Sequence, residues 1–345
     1  MRVAFVAMYA RRETDGIRRL RSLAERLAAR GHEVSLFCTQ WWPGYDRARE
    51  ETGVVYRPVT LGPEPVPFAL RLPVMLARFR PDVVHVAPEP PGSVLAARAG
   101  ATLARAPLVC DWYGDETLHE GRRTRWAART PDAVVTPSEM VAGRVLERGA
   151  DSERVRVVPV GVDTEYVRSV APREDAADVV YARRLDADAN LESLLLALAE
   201  FRRQEWTAVV IGDGPAREAY EQQAVDLRID DRVEFVGERD REERVATYRG
   251  AHVFVQTARR ACFATELLWA LVSGCVGIVE YQADSSAHEL IRGRERGFRV
   301  TTPEEVAGAL ARAGGLEHLD FDDSFDDFDE RAVLERYLEC YRDLR

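Results

Sequence analysis

Two doubly wound α/β domains are what this sequence predicts, on three observations. Its 345 residues exceed the size at which a single core usually keeps growing. Short β-branched runs alternate with amphipathic segments along the chain, the pattern of βαβ units and hence of parallel sheets. The alternation breaks once, at Pro172 in the charged, aperiodic "VAPREDAADVV", and then begins again. Two such domains facing one another leave a cleft lined by the carboxyl ends of both sheets, where open α/β folds take their ligands.

The first half opens with a strand, "RVAFVAM", followed by a helix from about Ile17 to Arg30 with Leu20, Leu23, Ala24 and Leu27 on one face. "HEVSLFC" is a second strand, and "PDVVHVA", "APLVCDWY", "PDAVVTPS" and "RVRVVPV" continue the series. Residues 68–80, "FALRLPVMLARFR", read as the ordinary helix before the third of these; contact with an anionic membrane through Arg71, Arg78 and Arg80 is the alternative. After the break come "DVVYA", "WTAVVIG", "RVEFVG", "AHVFVQ" and "VGIVEY". Before the last of these lies "ACFATELLWALVSGC", a helix greasy on almost every face and closed by Gly274. Its one carboxylate, Glu266, stands in the first turn, where it serves either the orphan amides of the helix start or a ligand. Residues 317–330 read as a solvated acidic loop with its phenylalanines docked on the surface, and Arg331 to Leu344 as a closing helix. The predicted divisions are 1–163, a linker at 164–177, a second domain at 178–327 and the helical tail at 328–345.

Composition narrows the function. The net charge is −10, and all 48 basic residues are arginine. That balance argues against a general nucleic-acid binder, which needs a basic surface to release counterions. "RRTR" at Arg122 to Arg125 reads as a solvated face. An acid-rich chain without lysine suits a GC-rich genome and a high-salt cytoplasm. Cys38, Cys110, Cys262, Cys275 and Cys340 are scattered and odd in number, as reduced cytosolic thiols would be. Met1 and Arg2 run straight into "VAFVAMY", so no secretory leader is expected, and no apolar run reaches the length of a membrane span.

The loops after the strands are where chemistry would sit. Gly16 in "YARRETDG" opens the first helix, but the glycine-x-glycine-x-x-glycine of a dinucleotide site is absent there. The nearest match, "GDGPAR" around Gly212, Asp213 and Gly214, lacks the third glycine, which disfavours a nicotinamide oxidoreductase. It is either an ordinary strand-to-helix turn or a turn whose amides face a phosphate. Arg183 and Arg184 follow the first strand of the second half, and a guanidinium fork suits a diphosphate. Asp186 and Asp188 form an Asp-x-Asp whose alternative is a divalent metal under a nucleotide diphosphate; with Asn190 and Glu192 they read as helix caps, so no metal site is expected. His32, His85 and His252 read as structural, and no cofactor is implied.

The stretch "PDAVVTPSEMVAGRVLERGADSERVRVVPVGVDTEYV", with Ser138 and Gly161 to Asp163, resembles the interdomain segment of family 4 glycosyltransferases, whose two Rossmann-like domains face a cleft in the GT-B fold. "ARGHEV", "PDVVHV", "RRLDADANLESLLLAL", "VIGDGP" and "RVEFVG" resemble further landmarks of that family in the same order. The resemblance implies retaining transfer of a sugar from a nucleotide diphosphate sugar to a glycan or lipid-linked acceptor, without a metal. It places the donor on the second domain and the acceptor on the first, in a cytoplasmic protein or one at the inner face of the membrane. On the acceptor side stand Gly16, with Gln40, Trp41 and Trp42 in "TQWWPG", and Asp111, Tyr113 and Asp115 in "CDWYGDE" as candidate catalytic residues. Carboxylates and indoles are what a sugar needs, though two tryptophans also plug a domain edge.

This chain departs from the family where the donor should bind. Aligning Gly274 with the family glycine puts Ala261 and Trp269 where two glutamates are expected. The expected lysine falls on Ala189, an asparagine on Val160 and a first-domain histidine on Tyr113. Either the site is rebuilt, with Arg183 supplying the missing charge and Glu266 and Glu280 the hydroxyl contacts, or the protein binds a nucleotide sugar without transferring it. Retaining transfer of this kind asks mainly for electrostatic positioning, since the donor phosphate itself can accept the acceptor's proton.

Overall fold

The computed structural model describes residues 1–44, 46–201 and 205–345, which form two compact units. The first comprises Met1–Pro159 and Val333–Arg345, the second Val160–Ala332.

In the first unit the strands are β1 (Arg2–Val6), β2 (Glu33–Thr39), β3 (Arg49–Glu51), β4 (Val54–Thr60), β5 (Val83–Val86), β6 (Leu108–Asp111), β7 (Ala133–Thr136) and β8 (Val155–Val157). They form one sheet in the order β3-β4-β2-β1-β5-β6-β7-β8, parallel except for the β3–β4 hairpin. The central strands are buried on both faces, which is why they read as unbroken apolar runs rather than alternating ones. Between them run α1 (Asp15–Ala29), α2 (Pro65–Phe79), α3 (Pro91–Ala104), α4 (Arg122–Arg129) and α5 (Glu139–Glu147). The chain steps one way across the sheet from β1 to β2 and the other way from β4 through β8. Right-handed crossovers therefore put α1 on one face and α2 to α5 on the other.

The second unit holds α6 (Thr164–Ser169), β9 (Val179–Ala182), α7 (Leu191–Glu200), β10 (Ala208–Ile211), α8 (Arg217–Leu227), β11 (Val233–Gly237), α9 (Arg241–Gly250), β12 (Val253–Gln256), β13 (Arg260–Ala261), α10 (Thr265–Val272), β14 (Val276–Glu280), β15 (Asp284–Ser285), α11 (Ala287–Leu290), β16 (Gly297–Val300) and α12 (Pro303–Ala313). Its parallel sheet has the order β11-β10-β9-β12-β14-β16, and β13 pairs with β15 apart from it. The stretch 164–177, expected as a linker, opens with α6 and falls inside this unit. The last helix, α13 (Glu330–Asp343), spans the unit boundary, and from Val333 onward it belongs to the first unit. There Leu334, Tyr337 and Tyr341 share a core with Leu20 and Leu27 of α1.

The acidic stretch 317–330 is more than a solvated loop. It holds a short 3-10 helix, Asp323–Phe328, whose Phe325 is 2% exposed and lies under the Arg294 guanidinium. Gly274, at φ +97°, lets this segment approach, because a Cβ there would stand 2.0 Å from the Leu319 carbonyl oxygen.

Candidate functional site

In the second unit β9, β12 and β14 lie side by side, and the residues at and just beyond their carboxyl ends meet. The loop after β9 rests backbone to backbone on the loop after β10. Arg183 N donates to Ile211 O at 3.0 Å, Leu185 N to Asp213 O at 2.9 Å, and Ala216 N to Leu185 O at 3.0 Å. This approach explains the two glycines. At Gly212 (φ +128°) a Cβ would lie 2.0 Å from Arg183 O, and at Gly214 (φ +155°) 2.3 Å from Leu185 O. The carboxylate of Asp213 is occupied within its own loop, accepting from Gly214 N at 2.6 Å and from Arg217 at 3.3 Å.

The arginine pair divides its labour. Arg183 donates to the Arg260 carbonyl at 2.7 Å and so braces the loops after β9 and β12. The Arg184 side chain is 70% exposed, its nearest carboxylate being Asp186 at 4.0 Å. Asp186 turns its other oxygen to Asp188 N at 3.0 Å, so neither aspartate caps α7. That place belongs to Asn190, held at φ +55° with its side chain aimed away from the helix amides. Asn190 Nδ2 donates to Thr257 O at 2.9 Å and to Glu280 Oε1 at 3.3 Å, and Gln282 donates to the same oxygen at 2.8 Å. Glu280 is 7% exposed. Its Oε2, together with Gln256 Oε1 at the end of β12 and Arg183 Nε beyond β9, is buried without a hydrogen-bond partner. Three unpaired polar atoms at three adjacent strand ends mark this edge as the place where a polar ligand would be stabilised.

Glu266 does not serve the amides at the start of its own helix, the first of the two roles expected of it. α10 starts after Ala264 without a side-chain cap, and Glu266 pairs with Arg244 of α9 and accepts from Tyr248 Oη at 2.6 Å. It ties α10 to α9. Trp269 lies against Tyr166 and under Arg241, and Ala189 is fully buried.

In the first unit Asp111 is buried and anchored on one side, while its Oδ1 is left without a hydrogen-bond partner. It accepts from Tyr337 Oη at 3.1 Å and sits 3.4 Å from His85 Nε2 and 3.5 Å from Arg19 Nε. Burial pushes its carboxyl upward, but Arg19, His85 and Tyr337 outweigh that and hold it below the ordinary range. Asp115 accepts from Gly16 N at 3.0 Å, at the start of α1. A side chain on Gly16 would collide with Asp115 and with the buried Tyr113, which fixes the glycine there. Glu116, which the sequence did not single out, accepts from Tyr113 N at 2.8 Å and Gly114 N at 2.9 Å. Burial, and then the neighbouring Asp115, push its carboxyl up to about 8. Trp42 is 4% exposed and donates to Asp46 O at 3.1 Å, Trp41 is packed against Trp42, Tyr56 and the Arg11 guanidinium, and Gln40 donates to Trp42 O and Gly44 O. The two tryptophans plug the edge of the sheet. Gly16, Asp115 and Glu116 therefore meet at the head of α1, while Asp111 and the "TQWWPG" loop do not join them.

Two family models match the chain, each over a little under half of it: Glycosyltransferase Family 4 at residues 17–166 and Glycosyl transferases group 1 at 162–314. Among curated relatives, a GDP-mannose-dependent α-(1-6)-phosphatidylinositol monomannoside mannosyltransferase of Mycolicibacterium smegmatis is 27% identical over 305 residues, 81% of this chain and 77% of the relative. An α-monoglucosyldiacylglycerol synthase of Streptococcus pneumoniae is 25% identical over 198 residues, 53% of this chain but only 44% of the synthase. In fold the chain resembles a glycosyltransferase from Rickettsia africae (TM-score 0.80, 14% identity, 99% of this chain and 98% of that one). It also resembles HepE of Anabaena in complex with UDP (TM-score 0.77, 16% identity, both chains covered in full). These structures share the GT-B arrangement of two Rossmann-like domains.

Proposed function

We infer that a chain matched by these two glycosyltransferase models in succession transfers a sugar, with retention, from a nucleotide diphosphate sugar to a glycan or lipid-linked acceptor, and without a metal. The observation that carries the reading is the carboxyl edge of β9, β12 and β14: an unencumbered Arg184 guanidinium beside buried, unpaired atoms of Arg183, Gln256 and Glu280. A guanidinium is the fitting partner for a diphosphate, and a carboxylate already held by Asn190 and Gln282 is oriented to accept from sugar or ribose hydroxyls. In the transfer, the bond from the anomeric carbon to the diphosphate oxygen breaks and a bond to the acceptor oxygen forms on the same face. The leaving phosphate takes the acceptor's proton, and Arg184 offsets the charge that develops on it. Gly16, Asp115 and Glu116 at the head of α1 are the acceptor-side counterparts. The names of the mannosyltransferase and the diacylglycerol synthase support a lipid-linked acceptor and a station at a membrane surface.

A second reading, a nucleotide-sugar-binding protein that does not transfer, is favoured by Ala189 and Trp269, which bring no charge to positions where the resemblance expects lysine and glutamate. Calorimetric titration with UDP, GDP, ADP, dTDP and their sugars tests both. The expected result is selective binding that Arg184→Ala weakens by about 1.5 to 3 kcal/mol, the worth of a hydrogen bond to a charged group. Unchanged affinity in Arg184→Ala would remove the assignment. Binding without transfer or hydrolysis across broad acceptor mixtures selects the second reading.

A further inference from the structure

We propose that the second unit holds a further small-molecule site, apart from the donor edge, and that it takes a phosphate ester about the size of a sugar phosphate. A cavity of about 260 Å³ opens between α11, the turn that follows it and β16, the outermost strand of the sheet. It is lined by His288, Ile291, Arg292, Arg294 and Arg299, with glycines completing the wall. None of Arg183, Arg184, Gln256 and Glu280 belongs to it. β16 lies one strand beyond the donor edge, pairing with β14 so that Arg299 stands opposite Val279.

Three guanidinium groups and an imidazole line this cavity and no acidic side chain does, against the trend of a chain whose net charge is −10. Arg299 carries the argument. It is exposed, its guanidinium lies 4.1 Å from the centroid of the Tyr281 ring, and among the described residues it is paired with no carboxylate. Stacking fixes the plane of the guanidinium and leaves the N–H donors in that plane able to fork onto two oxygens of one anion. The Tyr281 ring is held edge-on by His288 at 5.1 Å. His288 Nδ1 donates to Ser285 O at 3.2 Å, which orients the imidazole and leaves Nε2 without a partner among the described residues. Arg294 is a fixed wall, donating to Leu290 O at 3.0 Å and to Ser324 Oγ at 2.7 Å while it covers Phe325. The acids that act on Arg294, Asp322 and Asp327, belong to the stretch 317–330 and do not line the cavity. The positive charge is therefore held in place before any anion arrives. Size narrows the class: the cavity exceeds a water's share of about 30 Å³ many times over and falls just short of the roughly 300 Å³ at which sites for drug-sized ligands begin. A phosphoryl group with a few hydroxylated carbons fits that space, and a polynucleotide does not enter it.

The test is calorimetric titration of the full chain with glucose 6-phosphate, inorganic phosphate and glucose, in chloride buffer of fixed ionic strength so that screening stays constant. Glucose 6-phosphate is expected to saturate the site with a Kd of about 1 mM or tighter, inorganic phosphate to compete with it more weakly, and glucose to give no response. Arg299→Ser should weaken glucose 6-phosphate about tenfold or more, the lower end of what a hydrogen bond to a charged group is worth. Arg299→Lys, which keeps the charge and loses the fork, should recover only part of that. Arg47→Ser, at an exposed arginine of the first unit, should change nothing. Melting curves confirm that each variant folds. The site and the donor edge fail separately: Arg184→Ala should spare glucose 6-phosphate binding, and Arg299→Ser should spare nucleotide binding. The proposal falls if glucose 6-phosphate does not saturate, if glucose binds as well as its phosphate, if Arg299→Ser binds as the wild type does, or if Arg184→Ala abolishes the response, which would put the phosphate at the donor edge.

Discussion

Gly212 and Gly214 show how little room single residues leave in the second unit. With the carbonyls of Arg183 and Leu185 where a Cβ would go, Gly212→Ala must push the two loops apart. A loss of about 3 kcal/mol in stability is expected, read from thermal or denaturant melting, together with weakened nucleotide binding. Glu116 supplies a test in pH. Its folded carboxyl titrates near 8, above the ordinary range, so its contribution is fully present at pH values below that range and is lost as pH rises toward 8 and beyond. Glu116→Gln should flatten the decline in melting temperature between about pH 5 and pH 9, a difference on the order of 2 kcal/mol. The glycines were legible from the sequence, since a tight turn announces itself in residue type. Glu116 was not, because an acid in a loop looks the same whether its surroundings are wet or dry. Asn190 lies between these: asparagine is among the few residues that tolerate a left-handed backbone, but its sequence position equally suits an ordinary cap.

At the scale of elements, the α9–α10 pair is the clearest case of a side chain whose partner lay out of sight. Glu266 was readable as a carboxylate needing compensation. That Arg244 and Tyr248 supply it, 22 and 18 positions earlier in the chain, depends on how two helices pack. Glu266→Ala should therefore cost about 1 to 3 kcal/mol of stability, leaving a buried tyrosine hydroxyl without its acceptor, and should leave nucleotide affinity unchanged. Glu280→Ala should do the reverse, weakening donor binding with little effect on melting. Buried parallel strands were the most legible elements, because burial on both faces writes a continuous apolar run. The edge hairpin β3–β4 was missed, being short, exposed in β3 and carrying Pro58 in β4, features that belong to edges and blur the strand pattern. The 3-10 helix at Asp323–Phe328 was hidden by its acidity, since only Phe325 turns inward.

At the scale of the whole molecule, the alternation of strands and helices correctly foretold two α/β units, and the order of the family landmarks fixed their sequence along the chain. It could not foretell that the last helix belongs with the first unit, because pairing of distant segments leaves no periodic trace. Tyr341 Oη lies 2.7 Å from His85 Nδ1, and Tyr337 holds Asp111, so removing α13 strips two partners from a buried histidine and carboxylate. Deleting residues 330–345 should unfold the first unit, or lower its melting temperature by more than ten degrees, a shift of several kcal/mol at this size. Tyr337→Phe, losing the hydrogen bond it donates to Asp111 and those it accepts from Arg19, should cost about 3 kcal/mol or more.

This return of the chain also orders events during synthesis. The second unit is one continuous stretch and can close as soon as residue 332 has left the ribosome. The first, although translated earlier, waits with Arg19, His85 and Asp111 uncovered until the final helix arrives. A nonsense mutation ahead of α13 would then leave the first unit's earlier segments exposed to proteases, and the fragment that survives would be the second unit.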